Sequence, residues 1–300
     1  MKVAQQLSPR LERFFECNTQ VGESPLWDAT NRRLYWVDIP AGLVFCGDPA
    51  TGKYVTRCST DPVGSLALCR TGGLLVATGQ RLEQWSMDLA VSDAAYLATM
   101  TPRPVPSRFN DGKGGPDGRF WVGSVDPRPE RGATGAIHGM GLGKQPALLA
   151  EHLRVPNGIA WSPAGDRMIF SDSGQGAVWS VPFDPVIGPL GEPRPWLDWR
   201  ADSMGMPDGA AMDEEGCYWS CGIFAGAIHR FDPSGIHLES YLLPISQPTM
   251  CCFGGEDMRT LFVTSMTVKL DNHQRSLQPL AGSVIAFCVG VGGAPVGTYG

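Results

Sequence analysis

The sequence predicts an all-β chain, a six-bladed β-propeller built from four-stranded antiparallel blades. Three observations predict it. Among 300 residues, 38 are Gly and 25 are Pro, and no long stretch spaces its apolar residues at the helical period. A turn followed by a short β-rich run recurs instead. The recurrences lie roughly 40 to 50 residues apart, the period of propeller blades, which a two-sheet sandwich does not explain.

The recurring runs are Asn31 to Asp38, Gly72 to Thr78, Asp117 to Gly123, Gly165 to Asp172, Glu215 to Ser220 and Met258 to Thr264. An apolar run precedes the turn, as in Gly158 to Ser162 and Gly209 to Asp213. A third follows, as in Gly176 to Ser180, Gly226 to Arg230 and Gly282 to Ala286. A fourth is set off by Asp-Pro turns at Asp48-Pro49, Asp184-Pro185 and Asp232-Pro233. Four short strands per repeat make a blade. The segments 127–143 and 268–279 read as loops over the channel mouth, where specificity is set.

All-β architectures often reach this length as one domain, so residues 1–300 read as a single propeller domain. Hydrophobic residues make up 43% and charged residues 18%, enough for a sizeable core and against disorder. A net charge of −6 with no cluster of Lys or Arg argues against nucleic acid, which demands a basic footprint. No eighteen apolar residues run together, so no membrane partner is expected. The first seventeen residues hold no apolar core of a secretory signal. Nine cysteines lack zinc-site spacing, and Cys251 and Cys252 read as small core residues. The expectation is a cytoplasmic protein with reduced thiols, a monomer or weak oligomer.

Aligned on their turns, the repeats open with Gly22-Glu23-Ser24, Gly64-Ser65, Asn110-Asp111-Gly112, Asn157-Gly158, Asp208-Gly209 and Thr249-Met250. Any one Asn-Gly or Asp-Gly is an ordinary turn dipeptide. Recurrence in register is another matter, because the innermost strands of a propeller line its channel and equivalent positions ring the axis. Glu23, Asn157 and Asp208 then supply oxygen ligands, the set preferred by hard cations such as Ca²⁺ and Mg²⁺. Carboxylates crowded at a narrow axis also repel unless a cation separates them. Asp38 and Asp172 end β-runs in matching register and read as structural, bonding to turn backbone. No Ser-His-Asp arrangement and no nucleophile elbow is present, which argues against a covalent serine mechanism.

At these residues the sequence resembles the regucalcin and gluconolactonase family, the SMP-30 family of sugar lactonases. The matching stretches are Gly22 to Trp27, Tyr35 to Pro40, Ser107 to Lys113, Asn157 to Trp161, Pro207 to Gly209 and Cys251 to Gly255. Among them Arg108-Phe109-Asn110-Asp111-Gly112-Lys113 is the most specific. The resemblance implies a divalent metal ion (Ca, Zn, Mg, Mn or Fe) on Glu23, Asn157 and Asp208. It implies sugar contacts from Arg108 and Asn110. Where some members carry a substrate-contacting carboxylate this chain has Arg128, so Asp126 or Glu130 takes that part, or the pocket differs; Asp126 is the expected substituent.

The implied reaction is hydrolysis of an aldonolactone to its open-chain acid. The metal polarises the carbonyl and Asp208 serves as general base, while Arg108 and Asn110 hold ring hydroxyls. A non-catalytic calcium-binding propeller and an aryl or organophosphate esterase on the same scaffold are the competing readings.

Overall fold

The computed structural model describes residues 4–100, 105–130, 132–143 and 146–300, with main chain only at 13 and 14. Six small sheets, each built on four antiparallel strands, follow one another around an axis as a six-bladed propeller. Their inner strands are Gly22–Asp28, Val63–Leu68, Arg108–Gly114, Pro156–Trp161, Met206–Met212 and Pro248–Gly254, which number blades 1 to 6. Two short helices, Ala201–Met204 and Asn272–Leu277, sit in connections.

The order within a blade follows the repeat. Blade 1, for example, runs Gly22–Asp28, Arg33–Asp38, Leu43–Asp48 and Lys53–Cys58 outward from the axis, each strand pairing with the next. Blade 6 is different. Its three strands Pro248–Gly254, Thr260–Ser265 and Val284–Cys288 are completed by Glu12–Phe15 from the other end of the chain. That pairing closes the ring and covers an edge that would otherwise be open. Gln5–Leu7 adds a further, parallel strand outside blade 5.

The core lies between blades. Alternate side chains of a strand point to opposite faces, so Leu34 and Trp36 join the apolar cluster shared with blade 6, while Tyr35 and Val37 join the one shared with blade 2. Phe15 stacks on Trp36 with ring centroids 4.8 Å apart, which anchors the closing strand by packing as well as by its ladder. Both faces of each inner strand are therefore buried, and the six interfaces fix where the strand ends converge.

Two expectations about connections are corrected. The segment 127–143 is not one loop, because Gly135–Met140 is the fully buried third strand of blade 3. Within 268–279, Asn272–Leu277 is a helix with Asp271 as its capping residue. The expected structural roles of Asp38 and Asp172 hold. Asp38 accepts from the N–H groups of Gln20 (2.8 Å) and Val21 (3.1 Å), and Asp172 from those of Arg154 (2.7 Å) and Val155 (2.9 Å). Each clamps the turn that leads into the inner strand of its own blade. All nine cysteines are free thiols, and Cys251 and Cys252 are buried. No described helix is long and apolar enough to cross a membrane.

Candidate metal centre

Every inner strand begins at the same end of the channel, and each carries a bulge within its first residues. In blade 1 the pairing passes from Glu23–Val37 to Leu26–Tyr35, two residues facing one. Blade 4 does the same between Asn157–Ser171 and Ala160–Ile169. In blades 3, 5 and 6 the last pairs before the bulge are made by Phe109, Pro207 and Pro248. Glu23 and Asn157 therefore stand just before a bulge, whereas Asn110, Asp208 and Thr249 are the first residues within one. The single register expected from the repeats is wrong by one residue. Bulges re-aim the side chains around them, so residues from either position can turn to the axis.

Blade 4 shows what the bulge demands. Gly158 has φ +65°, and a Cβ there would lie 2.3 Å from the Tyr218 hydroxyl oxygen. Only glycine enters both that conformation and that space. Ser24, at the matching place in blade 1, is left-handed as well, with φ +49°.

A chain of hydrogen bonds crosses three blades. Half-buried Arg108 donates from Nη1 to Asn110 Oδ1 at 3.0 Å. Asn110 Nδ2 donates to Asn157 Oδ1 at 2.8 Å. Asn157 Nδ2 donates to Asp208 Oδ1 and to Ser173 Oγ, the latter at 2.7 Å. Ser173 in turn donates to Pro207 O at 2.6 Å. Glu23 approaches from blade 1, its Oε2 accepting from the Ser24 N–H at 2.9 Å. One oxygen each of Glu23 and Asp208 has no protein partner among the described residues. The side chains of Asn110, Asn157, Asp208 and Glu23 are all buried.

The electrostatics are unbalanced. Burial pushes the Glu23 carboxyl well above its ordinary range, and the charges of Asp208 and Asp111 push it further. Asp208 is raised by burial and by Asp111. Asp111 sits just below, raised by burial, with Oδ2 accepting from the Ile159 N–H at 3.2 Å and Oδ1 without a partner. The cation that acts on this group is Lys113, itself buried enough for its ammonium to be lowered. Asp111 and Lys113 stand in the most specific matching stretch of the sequence without a role assigned, and Ser173 carries no signal there. Each belongs to the site through its neighbours in space.

Asp126 and Arg128 form a pair of their own. Arg128 Nε reaches both oxygens of buried Asp126, at 3.0 and 3.1 Å, and Nη2 adds a bond of 2.6 Å. The carboxylate expected to contact substrate is thus already held by the arginine that occupies the departing position. Glu130 is exposed.

The donors suit a divalent cation. Two buried carboxylates and an amide face one another, Lys113 offsets only part of the negative charge they share with Asp111, and every donor atom is oxygen once the Asn157 amide is turned to present Oδ1. A second acidic group among the described residues does not have this character. Asp213, Glu215 and Cys217 place ligand atoms within 4.8 Å of one another at the far end of blade 5. Arg230, however, donates to Asp213 Oδ2 from Nε (3.0 Å) and Nη2 (2.8 Å) and to Glu215 at 2.7 Å. A guanidinium already supplies the positive charge there.

A six-bladed propeller whose channel opens onto carboxylates, amides and an arginine defines a recognisable class. This chain belongs to the SMP-30/gluconolactonase/LRE-like family, whose model matches residues 21–267. It is 34% identical to 6-deoxy-6-sulfogluconolactonase of Pseudomonas putida, over 91% of this chain and 92% of that protein. Regucalcin of Oryctolagus cuniculus is 30% identical over 97% and 99% of the two chains. Among solved structures, the calcium-binding protein regucalcin of Agrobacterium tumefaciens superposes with a TM-score of 0.91 at 26% identity, covering 99% of each chain.

Proposed function

We propose that this protein is a metal-dependent hydrolase of a sugar lactone, opening an aldonolactone to its acid. The observation that carries the reading is the convergence of Glu23, Asn157 and Asp208 beside the Arg108–Asn110 pair. A cation buffer has no use for a directional donor such as Arg108 next to its ligands, whereas a hydroxylated ring does. The sulfogluconolactonase relative, alike over nine-tenths of both chains, supports the same choice.

Glu23, Asp208 and the Asn157 amide oxygen would hold the ion, which would supply Lewis-acid polarisation of the lactone carbonyl. Asp208 accepts the proton of the attacking water. In the metal-free protein burial and Asp111 raise its affinity for protons, and a carboxylate placed beside the ion is within reach of the water it is to deprotonate. The ion would be held through Asp208 Oδ1, beside the Asn157 oxygen, and Asp208 Oδ2, which accepts no hydrogen bond among the described residues, is left for that proton. Arg108 and Asn110 hold ring hydroxyls, so the ester carbon is presented in one orientation. Asp126, with Arg128 bound to it, contributes acceptor and donor together to the sugar contacts.

The test is lactone hydrolysis by metal-stripped protein with Ca²⁺, Mg²⁺, Mn²⁺, Fe²⁺ and Zn²⁺ restored one at a time. Recovery with at least one ion, absent in Glu23→Gln, is the expected result. Tight metal binding with no turnover of any aldonolactone would replace this reading with a calcium-binding propeller. Turnover of phosphotriesters or aryl esters in preference to lactones would replace it with an esterase.

A further inference from the structure

The channel has a second end. Each inner strand runs from the carboxylate mouth to the opposite face, so its last residues line a separate cavity of about 450 Å³. Four or so residues of strand separate Glu23 from Trp27 and Asn157 from Trp161, a rise of about 13 Å. The wall is apolar, made by Trp27, Trp161, Met212, Phe253 and Val296. Residues 293–300 cross this face as a strap. Ala294 N–H donates to Met212 O in blade 5, Tyr299 N–H to Leu68 O in blade 2 and Gly300 N–H to Gly118 O in blade 3.

Lys113 separates the two ends. It leaves the inner strand of blade 3, passes blade 4 and donates from Nζ to Ala210 O on blade 5, 2.6 Å away. That bond uses one of the three hydrogens of the ammonium. The other charged residue on the cavity wall is Asp28, and both its oxygens are already engaged by the N–H groups of Thr30 and Asn31 and by Asn31 Nδ2. The cavity therefore pairs an apolar wall with two ammonium hydrogens of Lys113 that make no hydrogen bond among the described residues, in the volume range of small-molecule sites.

We propose that this far cavity is a ligand site for a small organic anion, an apolar body carrying one carboxylate that takes the free hydrogens of Lys113. Its existence does not depend on what reaction the opposite mouth performs. Decanoate is the probe and decanol its neutral counterpart of equal chain length, titrated into the full-length protein by calorimetry with tryptophan fluorescence as a second readout. The expected result is one decanoate per chain, perturbing the fluorescence and binding at least about tenfold tighter than decanol, a gap of about 1.4 kcal/mol. Lys113→Met should erase the difference between the two probes. Val296→Trp, at an exposed position on the rim, should weaken both by filling the entrance. Where Lys113→Met fails to fold, the probe comparison and Val296→Trp decide. Equal affinity for acid and alcohol, no decanoate binding, or binding indifferent to Val296→Trp would each overturn the proposal.

Discussion

Asp208 lies near the start of the inner strand Met206–Met212 of blade 5 and Asp213 just past its end, and both are buried. Their surroundings differ completely. Asp213 accepts from Arg230, from Trp219 Nε1 at 2.9 Å and from the N–H groups of Glu215 (3.0 Å) and Cys217 (2.8 Å). Asp208 has an amide N–H on one oxygen, nothing on the other, and carboxylates for neighbours. A buried charge with its full set of donors holds a turn in place. A buried charge denied them is set for a cation or a proton. Burial alone separates nothing here; the partners do.

The sharpest way to break that distinction is substitution at either end of the strand. Asp208→Asn should lower turnover about 10²- to 10⁴-fold at saturating metal, the range for loss of a general base. Near-normal turnover would remove Asp208 from that role. Asp213→Ala should instead cost about 1–3 kcal/mol of stability by leaving the Trp219 indole and the Glu215 and Cys217 N–H groups without their acceptor, with hydrolysis per folded molecule unchanged. Denaturant unfolding and an activity assay on the folded fraction check both halves. Arg108→Lys keeps the charge but loses the planar fork, and KM should rise about tenfold or more while kcat changes less.

A smaller effect concerns the strand that delivers Asn157. Gly158→Ala places a methyl against Tyr218 in a left-handed conformation, at a cost of about 1–3 kcal/mol. Thermal unfolding should fall, and divalent-cation affinity should fall with it. The pH dependence of the metal-free protein has a definite sign. Glu23 and Asp208 hold protons more tightly folded than unfolded, so their contribution to stability is full below the ordinary carboxylate range and declines as pH rises through it toward their raised values. Added cation should reverse the decline. Unfolding midpoints measured across that range with and without metal test the sign directly.

Much of this was legible in the residues. The spacing of Asn31 to Asp38, Gly165 to Asp172 and their counterparts revealed six blades, because each blade repeats one local pattern. Closure by Glu12–Phe15 was not legible, since pairing between distant ends leaves no periodic trace. The strand Gly135–Met140 was hidden by its glycines. At Gly139 a Cβ would meet the Trp121 ring at 2.8 Å, so the position carries a glycine for tertiary reasons and lowers its own strand signal. At the channel mouth, the residue types at Glu23, Asn157 and Asp208 suggested a site, but the bulges that offset them by one residue are a product of the folded backbone. Asp111 and Lys113 stand in the most specific matching stretch, but their charge matters only once six strands meet.

Calorimetry of divalent-cation binding to the metal-stripped protein tests the contrast between the two acidic groups most directly. The wild type and Glu215→Gln, altered in the group already served by Arg230, should each bind one ion per chain with equal affinity. Glu23→Gln should bind it at least about tenfold more weakly. Full affinity in Glu23→Gln, with the loss appearing in Glu215→Gln, would contradict the account and move the cation to the far end of blade 5.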